Sequence, residues 1–228
     1  MKMKFGAIVV DGRNKIGGHV ASKNKSGAYL RTKVTPVNRQ SVKQSAARSL
    51  LTTISQAWRS LTQAQRDSWN NAVSNFKKTN IFGDIVHPSG FNLFQKLNNN
   101  IIQLGGTLKT TPPVVASLDG FTAAVLTYTV GTPALSLAFT VAAGVDHGYK
   151  ILATPPVSAG KDFVKSEYRV IKVGATTPTS PLVLLTEYQA VFGSIGNIGS
   201  KIFIKIVPCG SVSGVEGIAD ACSKISAA

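Results

Sequence analysis

A proline pair, Pro112-Pro113, separates two stretches of this chain that follow different hydrophobic periods. Proline has no backbone N–H to donate, and two in succession hold the backbone extended. Residues 108–116, LKTTPPVVA, therefore read as a linker that no single element crosses. Ahead of it apolar residues recur every three or four positions, as on one face of a helix. Behind it they alternate, as on one face of a strand. The expected class is α+β: a basic extended β arm, a small helical region of about three helices, and a C-terminal all-β sandwich.

The first helical stripe is Val42, Ala46, Leu50, Ile54, Ala57 and Leu61, with Leu51 and Trp58 beside it. Thr62 and Gln65 stand at the two positions of a capping box, which starts a second helix. That helix carries Trp69, Ala72, Val73 and Phe76 on one face and runs to about Lys78. Residues 80–88 form a loop with a turn at Gly83-Asp84, and Ser89-Gly90 introduces a third helix over 91–104. Its stripe is Phe91, Phe94, Leu97, Ile101 and Leu104, closed by Gly105-Gly106. Trp58 and Trp69 read as core anchors. The run Asn98-Asn99-Asn100 is unusual inside a helix and is expected to face solvent or a partner.

After the prolines, strands are expected over 122–130, 135–142, 148–154, 164–173, 182–191 and 201–207, with a last one near 214–221. About seven short strands separated by turn residues point to a sandwich of immunoglobulin or fibronectin type III kind. No Cys…Trp…Cys pattern is present, which argues against an antibody-like domain. Cys209 and Cys222 lie near the last two strands and could face each other; reduced, buried thiols are the expected state.

Charge divides at the same place. Residues 1–116 carry 17 Lys and Arg against Asp11, Asp67 and Asp84, a net +14, whereas residues 117–228 carry 8 against 7, a net +1. Residues 1–48 alone hold 11 basic groups and one acid, so +10 of the total +15 sits there. Such an imbalance implies an acidic partner. Strands are expected over 5–10, 17–22 and 27–34, around turns at Asp11-Gly12 and at 23–27. In the last strand Tyr29, Arg31 and Lys33 fall on one face and Ala28, Leu30 and Thr32 on the other. A ribbon with so little apolar area needs another surface to lie on. The expected organisation is a basic arm at 1–40, a helical docking domain at 41–107, the linker at 108–116 and the sandwich at 117–228. Candidate contacts to a partner or to phosphates are Lys15, Lys23, Lys25, Arg31, Lys33, Arg39, Lys43 and Arg48.

Chemistry is harder to find. His19, His87 and His147 stand apart, with no second ligand at metal spacing. No carboxylate pair, G-x-S-x-G elbow or phosphate-binding glycine loop is present. The expectation is a protein that is not an enzyme and uses no cofactor or metal. The apolar run after Lys2 and Lys4 is too short for a secretory signal, and no run approaches the roughly 18 apolar residues of a membrane helix.

The front half carries G-R-N-K-I-G-G-x-V-A-S-K-N-K-S-G-A-Y-L-R-T-K-V-T-P-V-N, then A-W-R-S-L-T-Q-A-Q-R-D-S-W-N, then S-G-F-N-L-F-Q-K-L-N. Over residues 6–113 this resembles an uncharacterised group of phage and prophage proteins associated with the virion structural modules of tailed phages. The resemblance implies a structural component of the head or head–tail region, made in the bacterial host cytoplasm and located in the virion. Its partners would be capsid, portal or tail proteins and further copies of itself in an oligomer or array. Packaged DNA would lie within reach of the arm, and no membrane is involved. Two alternatives stand beside it. One is non-sequence-specific nucleic-acid binding by the basic front half. The other is an adhesin acting through the C-terminal domain, with Tyr128, Tyr149, Tyr168 and Tyr188 as its aromatic candidates.

Overall fold

Three hydroxyl side chains set where the helices begin. Ser41 Oγ accepts from the Gln44 amide while the Gln44 side chain accepts from the Ser41 amide, and Thr62 and Gln65 repeat the arrangement. Ser89 Oγ accepts from the Asn92 amide. Each bond satisfies an amide that the first helical turn leaves unpaired. They open α1 (Val42–Ser60), α2 (Gln63–Ala72) and α3 (Gly90–Gln103). The computed structural model describes residues 1–6, 11–25, 27–114, 118, 120–141 and 148–227. The fold is α+β, with an N-terminal sheet ahead of these helices and a β-sandwich behind them.

The N-terminal sheet is antiparallel, in the order β1 (Lys2–Met3), β4 (Gly27–Thr32), β3 (His19–Asn24), β2 (Asn14–Ile16). Of the strand expected over 5–10, residues 7–10 lie outside the described residues. The strand expected from residue 17 begins at His19, because Gly17 takes φ +56° in the turn from β2.

Around the helices, Trp69 is fully buried and meets Phe94 edge-on at 5.2 Å. Trp58, half-buried, leans on Phe91 at 5.6 Å and Phe94 at 5.2 Å. Ile54, Leu61, Val73, Leu93 and Leu97 complete this core. α2 ends at Ala72 in a 3-10 turn over Val73–Phe76, short of Lys78. A small hairpin follows, β5 (Lys78–Thr79) with β6 (Ile85–Val86).

The apolar stripe of α1 is only half used. Packing begins at Leu50; Val42 is 86% exposed and Ala46 is exposed as well. The cause is length. α1 has 19 residues against 14 in α3 and 10 in α2. At about 1.5 Å per residue its first turns overrun the helices it lies on.

The asparagine run behaves differently from expectation. Asn98 and Asn100 are buried rather than turned to solvent. Asn98 grips the start of the proline-rich stretch: its Oδ1 accepts from Lys109 N at 2.6 Å and its Nδ2 donates to Lys109 O at 3.2 Å. Trp69 Nε1 donates to Thr110 O beside it, at 2.8 Å. Asn100 Nδ2 donates to Gly214 O at 2.7 Å, and its Oδ1 accepts from the buried Lys150 ammonium at 2.6 Å. Buried backbone and ammonium groups need partners, and a short amide offers both a donor and an acceptor.

The sandwich contains β7 (Phe121–Thr129), β8 (Ala134–Val141), β9 (Gly148–Ala153), β10 (Val157–Ser158), β11 (Arg169–Gly174), β12 (Leu182–Val183), α4 (Leu185–Phe192), β13 (Ser200–Cys209) and β14 (Asp220–Ile225). One sheet runs β12-β8-β7 and the other β14-β13-β9-β11, with β10 continuing the β9 edge of β13. Setting aside the short β10, the first, second and fifth strands share a sheet, and the third, sixth and seventh lie in the other. That is the immunoglobulin-type division, with the fourth strand beside the third. Residue Ala227 bonds to Tyr128 and Val130 and laces β7 to the end of the chain, closing one side. On the other side Lys172 of β11 pairs with Glu187 of α4 at 2.5 Å. Leu137, Ile151, Leu184, Tyr188, Ile202, Ile204 and Ile206 are fully buried between the sheets.

The unit is thus not all-β. The strand expected over 182–191 is two residues of β12 followed by α4. Leu185, Tyr188 and Phe192 recur at helical spacing and pack on the core, and Gly193, φ +80°, ends the helix. The strand expected near 214–221 begins at Asp220, because Gly214, φ +67°, turns the chain against the Leu97 carbonyl of α3. Only the part of 164–173 from Arg169 onward is strand. Cys209 and Cys222 are free; Cys222 pairs with Ile204 and Cys209 with Gly148, so they do not face each other. Burial pushes both thiols up to about 11.

Candidate interaction surface

The strand register decides which cations meet. Lys15 pairs with Val20 and Val20 with Arg31, so these three side chains share one face. Tyr29, flanked by Ser22 and Lys2, lies on the same face. Lys33, two positions beyond Arg31, follows β4 in the same alternation. Neighbouring strands lie about 4.8 Å apart, so Lys15 and Arg31 stand about 10 Å apart across the sheet. The opposite face carries Ala21 and Ala28, buried at 4% and 9%, with Leu30 half-buried. Lys23 falls on that second face opposite Ala28, and Lys25 lies in the turn after β3.

The other candidates lie beyond the sheet. Arg39 is in the segment that joins β4 to α1, and Lys43 and Arg48 are on the first turns of α1. All eight candidate cations are exposed. The sheet brings together Lys15 and Arg31. Arg48 reaches back to Asn38, its Nη2 donating to Oδ1 at 2.9 Å, and so ties the joining segment to the helix.

Exposure is the feature that marks this region. Every residue from 31 to 49 is exposed. Among them are Val34, Val37 and Val42, at 71%, 78% and 86%. β2, on the outer edge of the sheet, is exposed at each of its three residues. A strand edge of this kind offers unpaired N–H and C=O groups for an added strand.

The sheet is pinned to the body at its first strand. Lys4 Nζ lies 3.1 Å from Asp84 Oδ2 in the loop of the β5-β6 hairpin and 5.3 Å from the centre of the Phe82 ring. The Asn80 side chain, bonded to Asp84, holds that carboxyl below the usual carboxylate range, and Lys4 adds to the effect. In the sequence Gly83-Asp84 reads as a turn and Lys2 and Lys4 only as the flank of a short apolar run; no spacing rule joins positions 80 residues apart.

His19 is exposed on β3, and His87 Nδ1 lies 3.4 Å from Val73 O; His147 lies outside the described residues. Among the described residues no three His, Cys, Asp or Glu side chains are grouped to hold a metal, and no helix is long and apolar enough to cross a membrane. Tyr128, Tyr149 and Tyr188 are core residues, buried at 1%, 6% and 0%, and only Tyr168 is partly open, beneath the Lys205 ammonium at 4.3 Å. Of the four tyrosines expected for an adhesive surface, three are therefore core residues, while Phe163, not among them, is 74% exposed. No family model, curated protein or solved structure matches this chain.

Proposed function

We propose that this chain is a structural component of a tailed-phage virion that fastens to neighbouring subunits through its basic N-terminal arm and holds out a β-sandwich. The observation that carries the reading is the unbroken exposed run over residues 31–49, which joins a basic sheet to a body with a conventional core. Three valines and the open turns of α1 in that run have apolar surface that burial against a neighbour would stabilise. The cations around them favour an acidic neighbour and steer its approach. Copies repeated in an array would make modest contacts effective together.

Mass spectrometry of purified particles, after lysine cross-linking, tests this. The expected result is this chain at fixed stoichiometry, with cross-links from Lys23, Lys25 or Lys33 to another virion protein. Its absence from the particles refutes the reading.

The face shared by Lys2, Lys15 and Arg31 supports a second reading, non-specific binding to nucleic acid. Affinity for duplex DNA would then fall steeply with salt, and Lys15→Gln with Arg31→Gln would flatten the slope by about two contacts. No binding at low salt removes it.

A further inference from the structure

At the root of the arm lies a cleft of about 570 Å³, between β1, the 3-10 turn, the β5-β6 hairpin and the first turn of α3. This volume is in the range of pockets that hold small ligands or peptide side chains. Four ammonium groups line it: Lys2, Lys77, Lys78 and Lys96. No carboxylate does. Among the described residues Lys2, Lys77 and Lys78 form no salt bridge, and Lys96 has only a long one, 3.9 Å to Glu216. The floor is apolar, formed by Phe76, Val86, Leu93 and Val215. A basic lining that contains no carboxylate, with apolar residues beside it, is complementary to an anionic group carried beside an apolar one.

We infer that this cleft binds an acidic peptide segment with one apolar anchor side chain, supplied by a partner protein. The apolar anchor enters over Phe76, Leu93 and Val215, and flanking carboxylates meet the rim. Two features favour a peptide over nucleic acid. Single strands are held on open aromatic faces, and the two rings that line this cleft, Phe76 and His87, are both half-buried. The rim is wholly lysine, which acts as a point charge and lacks the planar fork with which arginine grips phosphate. The inference goes beyond the arm reading: apart from Lys2 it uses residues of the body.

Fluorescence anisotropy on the full chain tests it, with a labelled Glu-Glu-Leu-Phe-Glu-Glu peptide as the probe. Lys77→Gln with Lys78→Gln is expected to weaken binding about tenfold. An all-glutamate peptide of equal length is expected to bind at least about tenfold more weakly, for loss of the anchor. Lys23→Gln with Lys25→Gln, on the arm, is expected to leave the peptide affinity unchanged. Equal affinity in the cleft variant, or for the peptide without its anchor, overturns the inference. So does displacement of the peptide by a 20-nucleotide single strand that binds more tightly, which would make the ligand a nucleic acid. Loss of binding in the arm variant alone also overturns the cleft and leaves the arm reading standing.

Discussion

Replacing Asn100 by Leu tests the seam between the helices and the sandwich. The change keeps the size of the side chain and removes two bonds. One is a neutral bond to the buried Gly214 carbonyl at 2.7 Å, worth about 1 kcal/mol. The other accepts from the Lys150 ammonium at 2.6 Å, a charged bond worth about 1.5–3 kcal/mol. Lys150 keeps Glu216 at 3.1 Å, but that carboxylate is 34% exposed, so water softens both the loss and what remains. The expected cost is therefore about 2–3 kcal/mol, or a fall in Tm of about 5–10 °C for a chain of this length. Urea unfolding of the full chain should show a lower midpoint at unchanged slope. In a cycle with Lys150→Met, the double variant should cost at least about 1 kcal/mol less than the two single costs together, because both remove the same bond. A change under about 0.5 kcal/mol in Asn100→Leu, or strict additivity, would refute the argument.

Three further outcomes are expected. Trp69→Ala should cost about 3–5 kcal/mol, whereas Val42→Ala on the open end of α1 should stay within about 0.5 kcal/mol, both read by denaturation; a large effect at Val42 would mean that this face is already covered in the free chain. The depressed Asp84 carboxyl keeps its link to Lys4 above the ordinary carboxylate range and loses it only as the pH falls through the lowered folded value, so hydrogen exchange at β1 should rise in acid, and Asp84→Asn should abolish that pH step. With both thiols pushed up to about 11 by burial, the native chain should react slowly with a disulfide reagent at pH 7.5 and promptly in denaturant; fast native labelling would contradict that burial.

Much of the fold is legible because its signals are local. Thr62 and Ser89 mark two helix starts through bonds that span three residues, and the alternation at Leu135, Leu137 and Phe139 identifies β8. The misreading of 182–191 has a physical cause. Leu-Val-Leu-Leu looks like a strand and begins as one, but the spacing of Leu185, Tyr188 and Phe192 is helical, and burial of Tyr188 under the sheet edges decides the outcome. Asn98 and Asn100 were illegible for another reason. Their partners, Lys109 and Gly214, become neighbours only after the linker folds back and the sandwich docks. The basic arm is readable as a charge count and as one face of β4 with Tyr29, Arg31 and Lys33, but the place of Lys15 on that face is not, since it depends on the register of β2 with β3 and of β3 with β4. Nor is the cleft, whose four lysines come from three separate segments.

The two ends of the helical unit are attached by different physics. The sandwich is joined through a buried seam in which Asn100 bonds both Lys150 and Gly214, so swinging it away breaks two buried hydrogen bonds together and opens that seam to water. The arm is joined through exposed backbone and an ion pair whose side chains are 62% and 49% exposed, which water replaces at little cost. Any rearrangement on binding therefore falls at the arm and leaves the sandwich at a fixed angle to the helices. Lys2 then acquires a second meaning. It belongs to β1 and also lines the cleft, so displacing the arm removes one of the four cations from that rim. On the two proposals made above, capture of the arm by a neighbour and filling of the cleft by an acidic segment would in this way be coupled. A ligand in the cleft should hold the arm against the body, and a neighbour that takes the arm should weaken the cleft, with the two effects equal in size because they share one linkage.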